Sequence, residues 1–183
     1  MTETLLRLDI GCGPNKRGPE WTGVDAIAFD GVDIVGDAGS PAFWDQFETE
    51  SVEEAFASHF LEHLTPPQRI ALFNGLYRVM KPGAQMGIIT PHWASCRAYG
   101  DMSHTWPPVS EFFYYYLNAE WRMANAPHLD VKYKPDGFDC NFEAAWGYGM
   151  HQQLMTRNTD YQQFALSWYK EAASDLHATI TKR

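Results

Sequence analysis

The sharpest constraint in this chain is a short apolar run that ends in two closely spaced glycines and a proline. Residues 5–10 suit a buried β-strand, and Gly11-Cys12-Gly13-Pro14 comes directly after. Glycines in that place let the backbone turn sharply and come close to a ligand without a Cβ clash. Pro14 then fixes φ on the way out. Many turns use two glycines, so the weight of this one depends on the segments downstream of it.

Those segments alternate between strand and helix. Residues 23–25, preceded by Trp21, read as the end of a second strand, 32–37 as a third and 52–57 as a fourth, with a short helix over 42–47. Thr65-Pro66-Pro67 opens a helix, Thr65 as N-cap and proline in the first turn. Ile70, Leu72, Phe73, Leu76 and Val79 give that helix an apolar face. Pro82-Gly83 is expected to stop it, and 85–90 to form a fifth strand. The pattern predicts an α/β fold: a Rossmann-like, mostly parallel sheet with an antiparallel edge strand and helices on both faces. Too few residues separate Gly11 from Trp21 for a full first helix, so that helix is expected to be shortened to a loop over Lys16-Arg17-Gly18-Pro19.

The second half is less regular. Residues 91–108 lack periodicity and carry several prolines, as a lid or binding loop does. An aromatic-rich helix is expected over 109–124, making 91–128 a substrate lid region. Residues 129–134 and 142–148, around Pro135-Asp136-Gly137, read as an antiparallel pair at the sheet edge. In the tail, Tyr161, Phe164, Ala165, Trp168, Ala172 and Leu176 predict an amphipathic helix over 159–179. That helix belongs to a C-terminal helical extension, 151–183, docked on the domain or on a second subunit of a homodimer. The whole, 1–183, reads as one domain.

Charge narrows the partners. Lys and Arg number 14 against 23 Asp and Glu, a net charge of −9, and no basic run exceeds two residues. A duplex nucleic acid needs clustered cations on its phosphates, so a small-molecule partner is expected instead. Cys12, Cys96 and Cys140 form no CxxC pair, and no metal is expected. Met1-Thr2-Glu3-Thr4 has no basic leader and no apolar run approaches a membrane span. These features predict a reduced, cytoplasmic protein that does not enter a membrane.

Three aspartates close the first three expected strands: Asp9, Asp25 and Asp37. Open α/β sheets bind ligands at that edge, where a carboxylate at the second strand end accepts ribose hydroxyls. Asp37 is placed to meet an adenine amino group. Each aspartate also fits an ordinary turn; the three together are what point to a nucleoside.

Leu8-Asp9-Ile10-Gly11-Cys12-Gly13-Pro14 resembles the first motif of class I S-adenosylmethionine-dependent methyltransferases. Ala57-Ser58-His59-Phe60-Leu61-Glu62-His63-Leu64 resembles the segment after the fourth strand in the methyltransferase type 11 subgroup, and Leu76-Tyr77-Arg78-Val79-Met80-Lys81-Pro82-Gly83 that subgroup's RVLKPGG turn. The resemblance spans about residues 5–92. It implies S-adenosyl-L-methionine as cofactor, with Asp9, Gly11, Cys12 and Gly13 near its methionine end. Asp25 would then meet the ribose, Asp37 and Ala38 the adenine, and Ser58 and His59 would flank the sulfonium. Where the family has a third glycine this chain has Asn15, a residue tolerant of positive φ.

Methyl transfer to oxygen or nitrogen asks for orientation and often a base, for which histidine is suited. His59, His63, His92 and His104 are candidates, with His92 leaving the fifth strand and His104 in the lid standing out. Three rival readings use the same residues. His59-x-x-Glu62-His63 spells a zinc-peptidase pattern, but Thr65-Pro66-Pro67 leaves barely one helical turn for it. A nicotinamide dehydrogenase prefers G-x-G-x-x-G, whose last position here is Lys16. A regulatory protein that binds the cofactor without catalysis keeps every motif and is the main alternative.

Overall fold

The structure, a computed structural model, describes residues 6–183. Leu5, the expected first residue of the opening strand, and the 1–4 stretch lie outside the described residues. Among the described residues seven strands form one sheet: β1 (Leu6–Ile10), β2 (Thr22–Asp25), β3 (Ile34–Val35), β4 (Val52–Ser58), β5 (Met80–Pro91), β6 (Phe142–Met150) and β7 (Ala173–Lys182). Their order is β3-β2-β1-β4-β5-β7-β6, with β1 to β5 parallel and β7 antiparallel to both of its neighbours.

Helix α1 (Pro66–Val79) begins where proline and its cap predict. The Gln68 side chain accepts the Thr65 N–H at 3.0 Å, one arm of a capping box. Its Leu72, Phe73 and Leu76 are buried in one core cluster with Met86, Ile88, Phe142 and Ile180. Gly75 sits in mid-helix because the Trp44 ring lies 2.2 Å from where a Cβ would stand. Trp44 belongs to a 3-10 helix, Pro41–Gln46, where a short helix is expected. Helical cover is uneven: on the opposite face of the sheet Gln85, Glu143, Ala145, His177 and Thr179 are exposed. There the shortened first helix is a loop whose Arg17 guanidinium lies 3.9 Å over the Phe56 ring.

Several expectations are corrected. Helix α1 stops at Val79, and β5 starts at Met80; Pro82-Gly83 instead sits in a register shift of that strand, with Gly83 at φ 77°. The third strand shrinks to Ile34–Val35. The expected helix over 109–124 splits into α3 (Glu111–Tyr115) and α4 (Ala119–Asn125), because Asn118 turns to cap α4, accepting the Trp121 N–H at 2.9 Å. Before them, 91–108 contains only a one-turn helix, α2 (Arg97–Gly100).

At the sheet edge the partner of β6 is the tail, not residues 129–134. The latter make a 3-10 turn, Pro127–Leu129, and a turn around Asp130. The tail helix α6 (Thr159–Trp168) comes after one-turn α5 (Gln152–Met155) and ends well short of its expected length. From Ala173 the chain is strand: Leu176, Ala178, Ile180 and Lys182 point inward and His177 and Thr179 outward, a period of two. Helical spacing of Ala172 and Leu176 conceals that alternation in the sequence.

Arg122 joins these irregular parts. Fully buried, it donates to Asp130 Oδ2 at 2.8 Å, the Tyr116 carbonyl at 2.7 Å and the Cys140 carbonyl at 3.0 Å. Burial works to raise the Asp130 pKa, but the Lys132 N–H and Arg122 outweigh it and hold the carboxyl below its ordinary value. Arg122→Met is expected to cost about 3–5 kcal/mol in urea unfolding, since it strands a buried charge. A depressed folded pKa contributes stability above the unfolded value and loses it as pH falls. The Asp130→Asn variant should therefore be less stable than wild type at pH 7. That gap should close as pH drops below about 4, the ordinary aspartate value.

Candidate functional site

The turn after β1 is tied to β2 by its backbone: the Gly11 and Cys12 N–H groups both donate to the Val24 carbonyl, at 2.8 and 3.1 Å. Gly11 and Gly13 have φ of 70° and 54°. Gly11 is also required by space, because the Phe60 ring lies 2.4 Å from where its Cβ would be. Asn15 does not adopt positive φ; its N–H closes a turn onto the Cys12 carbonyl at 3.3 Å.

The three strand-end aspartates divide into two kinds. Asp25 Oδ2 accepts the Gly13 N–H and Oδ1 the Ile27 N–H, both at 2.9 Å. Each oxygen keeps acceptor capacity toward the half-open edge. Asp37, exposed at the neighbouring position, spends one oxygen on the Gly39 N–H at 2.8 Å. Beside them Ile27 and Val35 are more than half exposed, an apolar surface next to two carboxylates. Ala38 is buried behind, its carbonyl accepting Trp44 Nε1 at 3.0 Å. Asp9, by contrast, is buried and accepts the Arg17 N–H at 2.7 Å, so it anchors the loop that replaces the first helix. Burial pushes its pKa up. Burial, with the nearby Asp9 and Asp25 charges, also raises the Cys12 thiol to about 11, which keeps it a thiol.

After Ser58 the chain bends through His59, a non-glycine residue at φ 52°. Its N–H donates to the Ile89 carbonyl at 2.8 Å, and its ring stands 3.3 Å from Glu62 Oε1 and 3.9 Å from Asp175. Glu62 raises the His59 pKa against the opposing effect of burial. The next segment is a 3-10 turn, Leu61–His63, not the helix that a zinc peptidase needs.

Arg69 of α1 is buried and spans from that turn to the 91–108 loop. It donates to the Leu61 carbonyl at 3.1 Å and the Pro107 carbonyl at 2.8 Å, with Thr105 Oγ1 at 3.3 Å. Thr105 binds back, its N–H to the Glu62 carbonyl at 2.8 Å and its hydroxyl to the Leu64 carbonyl at 2.5 Å. The loop thereby sets the His104 ring 4.8 Å from the His63 ring, over a pocket of about 660 Å³ that His59 also lines. His92 stands apart. It is buried, its Nδ1 accepts the Ala94 N–H at 3.3 Å, and its proton therefore sits on Nε2, 3.1 Å from Glu111 Oε1. Burial works to raise the Glu111 pKa, but the His92 bond and a backbone N–H hold it below its ordinary value. Among the histidines singled out, His59 and His104 thus share a pocket and His92 is a joint between β5 and α3. Sequence reasoning missed Arg69 and Thr105; the signal was a charged residue in line with Leu72, Phe73 and Leu76 on the buried stripe of α1.

No family model matches the chain, and no curated protein matches it. Solved structures do. A SAM-dependent methyltransferase from Archaeoglobus fulgidus is 20% identical with a TM-score of 0.66, over 99% of this chain and 87% of that one. A SAM-dependent methyltransferase from Methanosarcina mazei is 16% identical with a TM-score of 0.56, over 100% and 94%. A putative methyltransferase in complex with the Haloferax volcanii Trm112 activator is 15% identical with a TM-score of 0.54, over 100% and 83%. The fold is that of the class I S-adenosylmethionine-dependent methyltransferases. Among the described residues no helix is long and apolar enough to cross a membrane.

The Gly11 contact is testable. Gly11→Ala should lower stability by about 1–3 kcal/mol, from a left-handed φ and a clash with Phe60. Adding Phe60→Ala to it should recover the clash but not the backbone strain, which a double-mutant cycle in urea separates.

Proposed function

We propose that the chain binds S-adenosylmethionine across the C-terminal ends of β1 to β4 and directs its methyl group to a small-molecule acceptor under the 91–128 region. The observation that carries this reading is the pairing of two accessible carboxylates, Asp25 and Asp37, with the exposed apolar Ile27 and Val35 at adjacent strand ends. Ribose hydroxyls suit the first carboxylate, an exocyclic amine the second, and a flat base the apolar surface. The residues present fit the nucleoside end. At the methionine end, Gly11, Cys12 and Gly13 offer backbone, while Asp9 acts through the loop it holds and Phe60 forms a wall on Gly11.

The cofactor supplies an electrophilic methyl group on a sulfonium. The chain's own part is to bind, orient and screen. Ser58 ends β4 beside the Gly11 turn and His59 follows it, with Glu62 and Asp175 placed to balance the ring when it is protonated. His104 donates its Nδ1–H to the Ala98 carbonyl at 3.2 Å, which leaves the Nε2 lone pair for a proton. His92 has no ring nitrogen left for that work. The net charge of −9 favours a small acceptor over a polyanion.

Titration calorimetry should show S-adenosylhomocysteine binding that Asp25→Ala weakens by about 1–3 kcal/mol, the scale of hydrogen bonds to a charged group. Undiminished binding in that variant would sink the ribose assignment. Incubating the protein with methyl-labelled cofactor and cell extract should move label into the small-molecule fraction. Binding without any label transfer would favour the regulatory alternative.

A further inference from the structure

We propose that Glu62, His63 and His104 form a site for a divalent transition-metal ion of the zinc class. One ligand atom from each lies within 4.8 Å of the others, at the mouth of the pocket between the post-β4 turn and the 91–108 loop. Modest side-chain rotation closes that spacing to what a common ion at about 2.0–2.2 Å from N and O ligands requires.

The second observation is the state of Glu62. Its side chain is 5% exposed, and neither carboxylate oxygen has a hydrogen-bond partner. His59 Nδ1, 3.3 Å from Oε1, is a charge partner for Glu62 only when the ring is protonated, and Arg69 spends its bonds on carbonyls and Thr105. A buried carboxylate with both oxygens unbonded is costly unless something accepts its lone pairs.

Both imidazoles keep a lone pair on one ring nitrogen. The Ala98 carbonyl can only accept, so His104 carries its proton on Nδ1 and keeps a lone pair on Nε2, 4.0 Å from Asp101 Oδ2. For His63, Ser103 Oγ lies 3.1 Å from Nδ1 and donates its own proton to Asp101 Oδ1 at 2.6 Å. Ser103 must therefore accept from His63 Nδ1–H, and His63 Nε2 is also left as a lone pair. Metal-bound histidines have this arrangement, the second ring nitrogen donating to a carbonyl or to a hydroxyl backed by a carboxylate. Imidazole pairs with carboxylate suit zinc and its neighbours, and three protein ligands leave a position for an outside oxygen. The grouping differs from the H-x-x-E-H reading of the sequence: His59 is not a ligand, and the third comes from the lid.

The inference does not rest on cofactor binding, because ion binding is measured on the chain alone; with the ion bound, the His104 Nε2 lone pair is no longer available to accept a proton. Chelator-treated protein would be dialysed against Zn²⁺, and separately loaded with Co²⁺ for its visible absorption. Wild type should take up one equivalent of zinc and show Co²⁺ ligand-field bands. His63→Ala and His104→Ala should each bind at least about tenfold more weakly and lose the bands. The exposed His128→Ala should match wild type, and far-ultraviolet circular dichroism should show all variants folded. No zinc uptake by wild type, or equal uptake by the folded His63 and His104 variants, would overturn the site. S-adenosylhomocysteine titration of the same metal-free samples reports separately on the donor reading.

Discussion

The buried guanidinium of Arg69 is the interaction on which the irregular half of the molecule depends. Helix α1 is rigid, capped at Thr65 and packed on the core through Leu72, Phe73 and Leu76. Arg69 carries that rigidity outward to the Leu61 and Pro107 carbonyls, so two segments with little regular structure of their own inherit a fixed spacing. A planar fork with five donors suits this task, since it can meet several carbonyls in set directions. Thr105 adds a second stitch, and the residue before it, His104, gains its position over His63 from both. Irregular loops are ordinarily positioned by a scaffold; here Arg69 ties the post-β4 turn and the 91–108 loop to the same helix.

Much of the parallel half is legible in the sequence because its signals are local. Apolar runs, the paired glycines and Thr65-Pro66-Pro67 each fix a few neighbouring residues, and the strand-end aspartates Asp25 and Asp37 lie where those runs stop. The shortened first helix is visible as a simple lack of residues. Its structural consequence is not: Asp9 is drawn off to hold Arg17, a bond between residues whose sequence spacing says nothing about a turn.

Two physical facts hide the rest. Short segments with mixed apolar spacing satisfy both helical and strand periods, and only pairing decides; β7 is strand because β5 and β6 offer it two ladders. Long-range polar contacts leave no periodic trace either. His63 and Ser103, Glu62 and Thr105, and Arg122 and Cys140 meet through loops. The histidines show the same limit. Their number and neighbourhood are readable, but whether a ring nitrogen is free depends on partners such as Ala98, Ala94 and Glu111.

The strand order has a consequence for how such a chain is made. The only strand partner of β6 among the described residues is β7, which comes after it in the chain yet lies between it and β5. During synthesis β6 therefore leaves the ribosome with no seat in the sheet, and β5 waits with an open flank. Gln85 and Thr181, paired across that flank, are 96 residues apart. Contacts of such separation form late and slowly, and unpaired strand flanks invite association with other chains in the meantime. The parallel half can assemble early, while the antiparallel edge is completed only when the reversed strand slides in.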